Sequence, residues 1–143
     1  MVDIKKVTML VDRLRQYVLK LKELGAFSEA DFLKDAMKKD SARLNLQYAL
    51  ETCLDLTNHL ISRFGFRAPK DYADSFKVLV ENGVVTEGFL TKLRKMAKMR
   101  NRLVHLYWET DDKEIYSVLK QHLSDFELFA KSVLDYLAKR EKA

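Results

Sequence analysis

Apolar residues recur at steps of three and four along three long stretches of this 143-residue chain. Ile4, Val7, Val11, Leu14, Val18 and Leu21 make the first stripe, and Leu46, Leu50, Cys53, Leu56, Leu60 and Phe64 the second. Ile115, Leu119, Phe126, Phe129, Val133 and Leu137 make the third. A period near 3.6 gathers each set on one helical face, and that face must find a partner. Four glycines and one proline supply little turn chemistry, which argues against a β-rich fold. The expected class is therefore all-α. It is one domain over residues 1–143, an up-down bundle of roughly five or six helices.

Punctuation divides the chain further. The first helix should run from Asp3 to Leu24, with Gly25 as the residue just past its end. Ser28, with Asp31 three residues on, resembles a capping box that opens a shorter helix. Asp40 or Ser41 should open the third helix, which reaches Phe64 before Gly65 and Pro69 break it. A fourth runs from Tyr72 to Glu81 and stops at Asn82-Gly83. Thr86 caps a fifth, which carries Phe89, Leu93, Met96 and Leu103. The last is expected as one helix from Asp111 or Asp112 to about Lys139, its aspartates suiting the positive end of the helix dipole.

Several function classes are disfavoured. Cys53 is the one cysteine, so no disulfide framework forms, and it reads as a small buried hydrophobe. His59 is expected at the surface and His122 in a packed or interface position. Neither has a metal-ligand partner at suitable spacing, so no metal and no cofactor is expected. No apolar run approaches the ~20 residues of a membrane span, and the start of the chain lacks a signal-peptide pattern. A cytoplasmic location without a membrane partner is expected. The net charge of +5 permits a polyanionic partner without requiring one.

The stretch RNRLVHLYWE, Arg100 to Glu109, concentrates the remaining chemistry. At about 100° per residue, Arg100 and His105 lie about 140° apart if the helix continues past them. On spacing alone the simpler reading is structural: His105 against the last carbonyls of a helix, solvated arginines, and Tyr107 and Trp108 on the rim. Residue chemistry offers another reading. Histidine transfers protons near neutral pH, and arginine clamps a phosphate and the charge that grows on it. With no acidic or histidine cluster nearby, such chemistry is expected to run without metal. RNA allows this because its 2′-OH is the nucleophile.

The string Arg100-Asn101-Arg102-Leu103-Val104-His105-Leu106-Tyr107 fits Arg-x-x-x-x-His-x-Tyr. It resembles the HEPN superfamily and, within it, the HepT-like toxins paired with MNT-type nucleotidyltransferase antitoxins. The long segment SARLNLQYALETCLDLTNHLIS is similar to that family's central helix. PKDYADSFKVLVENGVVTEGFLTKLRKMAKMRNRLVH follows its order of short helix, turn and motif helix, and WETDDKEIYSVL looks like its closing helix. The resemblance implies a homodimeric bundle and a metal-independent endoribonuclease acting on tRNA or other RNA. It implies Arg100 and His105 as catalytic residues, Asn101 as their polar support, and Tyr107 as the tyrosine that the partner enzyme AMPylates. Its alternative is a non-catalytic substrate-binding or scaffold partner of a nucleotidyltransferase.

Two further groups stand near the motif. Lys92, Arg94, Lys95 and Lys98 precede it, and Lys95, Lys98 and Arg102 are candidate RNA-phosphate contacts. A plain solvated basic face is the ordinary alternative. Glu51, Asp55, Asn58 and Ser62 form a polar line on the third helix. It is either a solvent face or a set of orienters for Arg100, with Glu51 and Asp55 the candidates. Phe64, Phe66, Tyr72 and Phe76 straddle Pro69 and read as packing around a helix junction.

Overall fold

The first two stripes meet face to face in the computed structural model, which describes residues 3 to 142. Helix α1 (Ile4–Gly25) lies along α3 (Ala36–Phe64), the most extensive helix pair of the fold. A short α2 (Glu29–Leu33) turns the chain between them. Helices α4 (Tyr72–Glu81) and α5 (Leu90–His105) pack on each other and on α3, and α6 (Asp112–Gln121) and α7 (Ser124–Lys142) close the bundle against α1 and α3. Strands are absent among the described residues, so the all-α expectation holds. No helix among them is long and apolar enough to cross a membrane.

The predicted stripes are the observed core. Val7, Val11, Leu14, Val18 and Leu21 are buried against Leu46, Leu50, Cys53, Leu56 and Leu60. Ile115, Leu119, Phe126, Phe129, Val133 and Leu137 complete the apolar interior. Each such side chain contributes about 1.5–3 kcal/mol by leaving water. Burial pushes the Cys53 thiol far up, so it stays neutral and acts as a hydrophobe. Ile4 is the exception to its stripe and is exposed.

Side chains cap most helix starts. Asp3, Ser28, Asp35, Asp71 and Asp111 each accept a backbone N–H from the first turn that follows, at 2.7–3.2 Å. Each such cap is worth about 1 kcal/mol. Asp35 therefore opens α3 five or six positions before the expected Asp40 or Ser41, because it caps both Met37 and Lys38. Thr86 makes no side-chain cap; a 3₁₀ turn over Glu87–Phe89 leads into α5 instead. Gly65, at φ 69°, ends α3 in the left-handed conformation that glycine adopts freely.

Four expectations need correcting. Gly25 does not lie past α1 but inside it, and Ala26 caps the helix in a right-handed conformation. Glycine suits the position because a Cβ would stand 3.1 Å from the Leu119 Cβ of α6, closer than side chains ordinarily pack. The last helix is two: after Gln121 the chain turns at His122 and Leu123, and α7 begins at Ser124. That turn exposes His122 instead of packing it and leaves its Nδ1 3.8 Å from Asp125. His59, expected outside, is buried, and its Nε2 accepts the Asp3 N–H at 3.3 Å. Desolvation, with Lys6 and Arg63 nearby, lowers the His59 pKa and favours the neutral ring that this bond requires.

Three arginines tie elements together. Arg15 binds Glu127 across α1 and α7. Arg67 forks onto both Asp74 and Glu81, which fastens the loop after α3 to α4. Arg102 binds both Glu114 oxygens at 2.7 Å, which joins α5 to α6. The arginine hydrogen bonds hold the carboxyls of Glu127, Asp74, Glu81 and Glu114 below their usual range.

Two outcomes follow. Gly25→Ala should cost about 1–3 kcal/mol in denaturant unfolding by forcing α1 from α6; unchanged stability would show that the contact is loose. The depressed carboxyls stabilise fully above the unfolded carboxylate pKa of about 4.3 and lose that contribution as pH falls through their folded values. Arg102→Ala should therefore lower Tm at pH 7, with a gap to wild type that shrinks below about pH 4. A gap that widened toward acid would contradict this assignment.

Candidate active site at the end of helix α5

Helix α5 carries Arg100, Asn101 and Arg102 in its last turns and ends at His105. No glycine or proline ends it. Leu106 leaves helical geometry at φ −135°, ψ 43°, and a 3₁₀ turn over Tyr107–Glu109 follows. Two arginines take the carbonyls of this turn. Arg43, from α3, donates to the carbonyls of Tyr107 (3.2 Å) and Thr110 and pairs with Asp112 at 2.9 Å. Arg102 donates to the Glu109 carbonyl at 3.1 Å while holding Glu114. The turn thus lies pinned between α3, α5 and α6, with Tyr107 64% and Trp108 67% exposed.

His105 is exposed and opens onto a groove with Asn101, Leu106, Asn58 of α3, and Pro69, Lys70, Asp71 and Tyr72 before and at the start of α4. Arg100 does not line this groove. It points toward α3 and α4, as the angular separation from His105 requires. Its side chain is only 15% exposed and sits 4.7 Å over the Tyr72 ring, with one guanidinium nitrogen 3.8 Å from Glu51. Its Nη1 donates to the Asn101 side-chain oxygen at 3.3 Å, and its buried Nε has no partner. Tyr72 and Asn101 therefore belong both to the groove wall and to the surroundings of Arg100. They join two residues that the helix points apart.

The predicted site residues divide accordingly. Glu51 reaches Arg100. Asp55, one turn along α3, has its carboxyl raised by partial desolvation and by Glu51, with Lys6 and Arg100 opposing. Asn58 extends the same polar line into the groove, whereas Ser62 stays outside it. Lys98 shares the exposed stripe of Arg94, Asn101 and His105, at helical steps of three and four, and Lys95 borders it. Neither lysine is ion-paired among the described residues. Arg102 is committed to Glu114 and the Glu109 carbonyl, which gives it a structural task. Among the described residues no group of three or more His, Cys, Asp and Glu side chains could hold a metal ion.

Sequence reasoning missed Arg43 and the role of Tyr72. Arg43 lies far from the motif in sequence, with only its place on the long α3 to mark it. Tyr72 was grouped with the aromatic packing around Pro69. Phe64 and Phe66 do pack there, 5.7 Å apart, and Phe76 is buried. Tyr72 instead turns its ring to Arg100.

Comparison with known proteins identifies the family and the fold. Residues 14–133 match the family model for HepT-like ribonucleases. The mRNA nuclease HepT of Shewanella oneidensis is 36% identical over 100 residues, covering 70% of this chain and 75% of that protein. The tRNA nuclease HepT of Aphanizomenon flos-aquae is 23% identical over 130 residues, 89% of this chain and 86% of that one. Among solved structures, the tri-AMPylated HEPN toxin of Shewanella oneidensis in complex with an MNT antitoxin superposes with a TM-score of 0.83 at 29% identity. It covers 94% of this chain and 99% of that one. The cytosolic protein YutE of Bacillus subtilis, of unknown function, superposes with a TM-score of 0.81 at 26% identity, over 97% and 93% of the two chains. With an HEPN-type bundle around the end of α5, where the motif lies, and a family model spanning most of its length, the chain belongs to the HepT-like ribonucleases.

Proposed function

We propose that this protein is the toxin of a toxin–antitoxin pair and cleaves RNA without a metal ion, using His105 and Arg100. One observation carries the reading. An arginine with most of its donors uncommitted and an exposed histidine share two neighbours, Tyr72 and Asn101, which touch Arg100 and line the His105 groove. The reacting strand supplies its own 2′-OH. His105 takes the hydroxyl proton, the 2′-oxygen bonds to phosphorus, and the bond from phosphorus to the 5′-oxygen breaks. Arg100 neutralises charge on the non-bridging oxygens as the phosphorus becomes five-coordinate. The products are a 2′,3′-cyclic phosphate and a 5′-hydroxyl end. The leaving oxygen needs a proton from a second group. A homodimer that sets the partner's motif beside this one supplies it, and this is our reading of why one histidine per motif suffices.

Asn101 supports Arg100 through their hydrogen bond, and Glu51, 3.8 Å away, with Asp55 one turn along α3, adds a weak electrostatic restraint on the guanidinium. Lys95 and Lys98 steer the RNA backbone toward His105. tRNA and other RNAs are both candidate substrates, as the names of the relatives indicate for those proteins.

Tyr107 is the control point. Its exposure, two residues beyond His105 and on a pinned turn, suits attack by its phenol oxygen on the α-phosphate of a nucleoside triphosphate held by a partner nucleotidyltransferase. Pyrophosphate leaves and the phenol proton is released. The added AMP puts a negative charge and a base beside the groove and repels RNA. The AMPylated toxin solved with its MNT antitoxin supports this reading by likeness.

Purified protein should cleave RNA in EDTA, and Arg100→Ala and His105→Ala should each lower the rate by at least about 100-fold at unchanged Tm. Equal trace activity in wild type and His105→Ala would remove the assignment. When the protein is co-expressed with its nucleotidyltransferase, mass spectrometry should place AMP on the Tyr107 peptide. Tyr107→Phe should stay unmodified and toxic, whereas full silencing of that variant would move the control point elsewhere.

A further inference from the structure

We infer that Tyr72 is a positioning residue for Arg100: its ring holds the guanidinium in the place from which it meets the scissile phosphate. The inference rests on the reading of Arg100 as the phosphate-binding residue. Arg100 has no strong polar tether. Its Nε is buried and unpartnered, Nη1 has one hydrogen bond at 3.3 Å, and Glu51 stands at 3.8 Å, beyond hydrogen-bond distance. A long, rotamer-rich side chain held only by those contacts would sample many geometries. The remaining restraint is the Tyr72 ring, whose centroid lies 4.7 Å from the guanidinium carbon, and with the Arg100 side chain only 15% exposed a cation over an aromatic face counts for more than it would at the open surface. A stacked guanidinium also keeps its donors free, because the ring uses none of them.

Tyr72 is itself firmly placed. It is the first residue of α4, where Asp71 caps the Asp74 N–H at 2.7 Å. Arg67 binds both oxygens of Asp74 and also Glu81, so the loop leading to Tyr72 is fastened to the helix it starts. The chain of support therefore runs from Arg67 through α4 and the Tyr72 ring to Arg100. The phenol oxygen has no hydrogen-bond partner among the described residues, so the ring carries the role.

Steady-state cleavage of an RNA oligonucleotide by Tyr72→Phe and Tyr72→Leu tests this. The phenylalanine variant should stay within about twofold of wild type, because the ring remains. The leucine variant should lose about tenfold in kcat with KM within about twofold, at unchanged helical circular dichroism. If it does not fold, Tyr72→Gln serves as the ringless variant, since Tyr72 is 37% exposed and tolerates a polar side chain. A rise in KM with kcat intact would make Tyr72 a substrate contact and overturn the inference, as would equal loss in the phenylalanine variant. The Arg100 Nε–Hε resonance supplies a readout independent of activity. It should be shifted upfield by the ring in wild type and Tyr72→Phe, and should move to the ordinary arginine position in Tyr72→Leu. A signal identical in all three would show that the ring does not hold Arg100. Absence of cleavage by wild type would overturn both readings, the resonance then deciding only whether the packing exists.

Discussion

Helix α5 stops at His105 because two arginines take the carbonyls of the turn that follows. This helix end has no glycine to turn on, so the turn after it, over Tyr107–Glu109, is held by side chains from outside. Arg43 reaches it from α3 and Arg102 from α5 itself, and each arginine is balanced by a carboxylate of α6, Asp112 and Glu114 respectively. The same contacts fix the packing of α6 and the direction in which the chain leaves α5. His105 is left exposed at the lip of a groove, and Tyr107 stands on a rigid turn beside it. Without those contacts the helix would be free to run on through Tyr107 and carry that tyrosine round to another face.

The site is divided between a wet side and a dry side. His105 faces the groove, where proton transfer to and from a substrate is geometrically free. Arg100 lies on the other side of the Tyr72 and Asn101 wall, where the lower dielectric strengthens whatever charge it meets. Glu51 and Asp55 keep that side polar enough to hold a guanidinium without binding it tightly. A full bidentate salt bridge such as the one Arg102 makes would have spent the donors that a phosphate needs. The contrast between two arginines two residues apart is the clearest functional signal in the structure: one is saturated, the other is not.

Most of the fold was legible in the sequence because periodicity reports burial directly. The stripes of α1 and α3 and the bounds of α4 came through at residue level. Two of the failures share a cause. The Gly25 position and the burial of His59 depend on contacts between elements distant in sequence: Leu119 against Gly25, and Asp3 against His59. Local signals cannot carry them. The motif gave Arg100, Asn101, His105 and Tyr107 as a string, yet helix geometry set the first and third on divergent faces. What reconciles them, Tyr72 and the α3 polar line, lies on other helices. Arg102, read from the sequence as a candidate RNA-phosphate contact, is occupied by Glu114 and the Glu109 carbonyl.

The central claim is that this groove cleaves RNA through the substrate's own 2′-hydroxyl, with His105 and Arg100 serving it. The most direct measurement is cleavage of an RNA oligonucleotide carrying a single 2′-deoxy nucleotide at a mapped cut site. The account predicts that this cut alone disappears, and that cuts elsewhere in the strand leave 2′,3′-cyclic phosphate ends. A cut that persists at the deoxy position would contradict it.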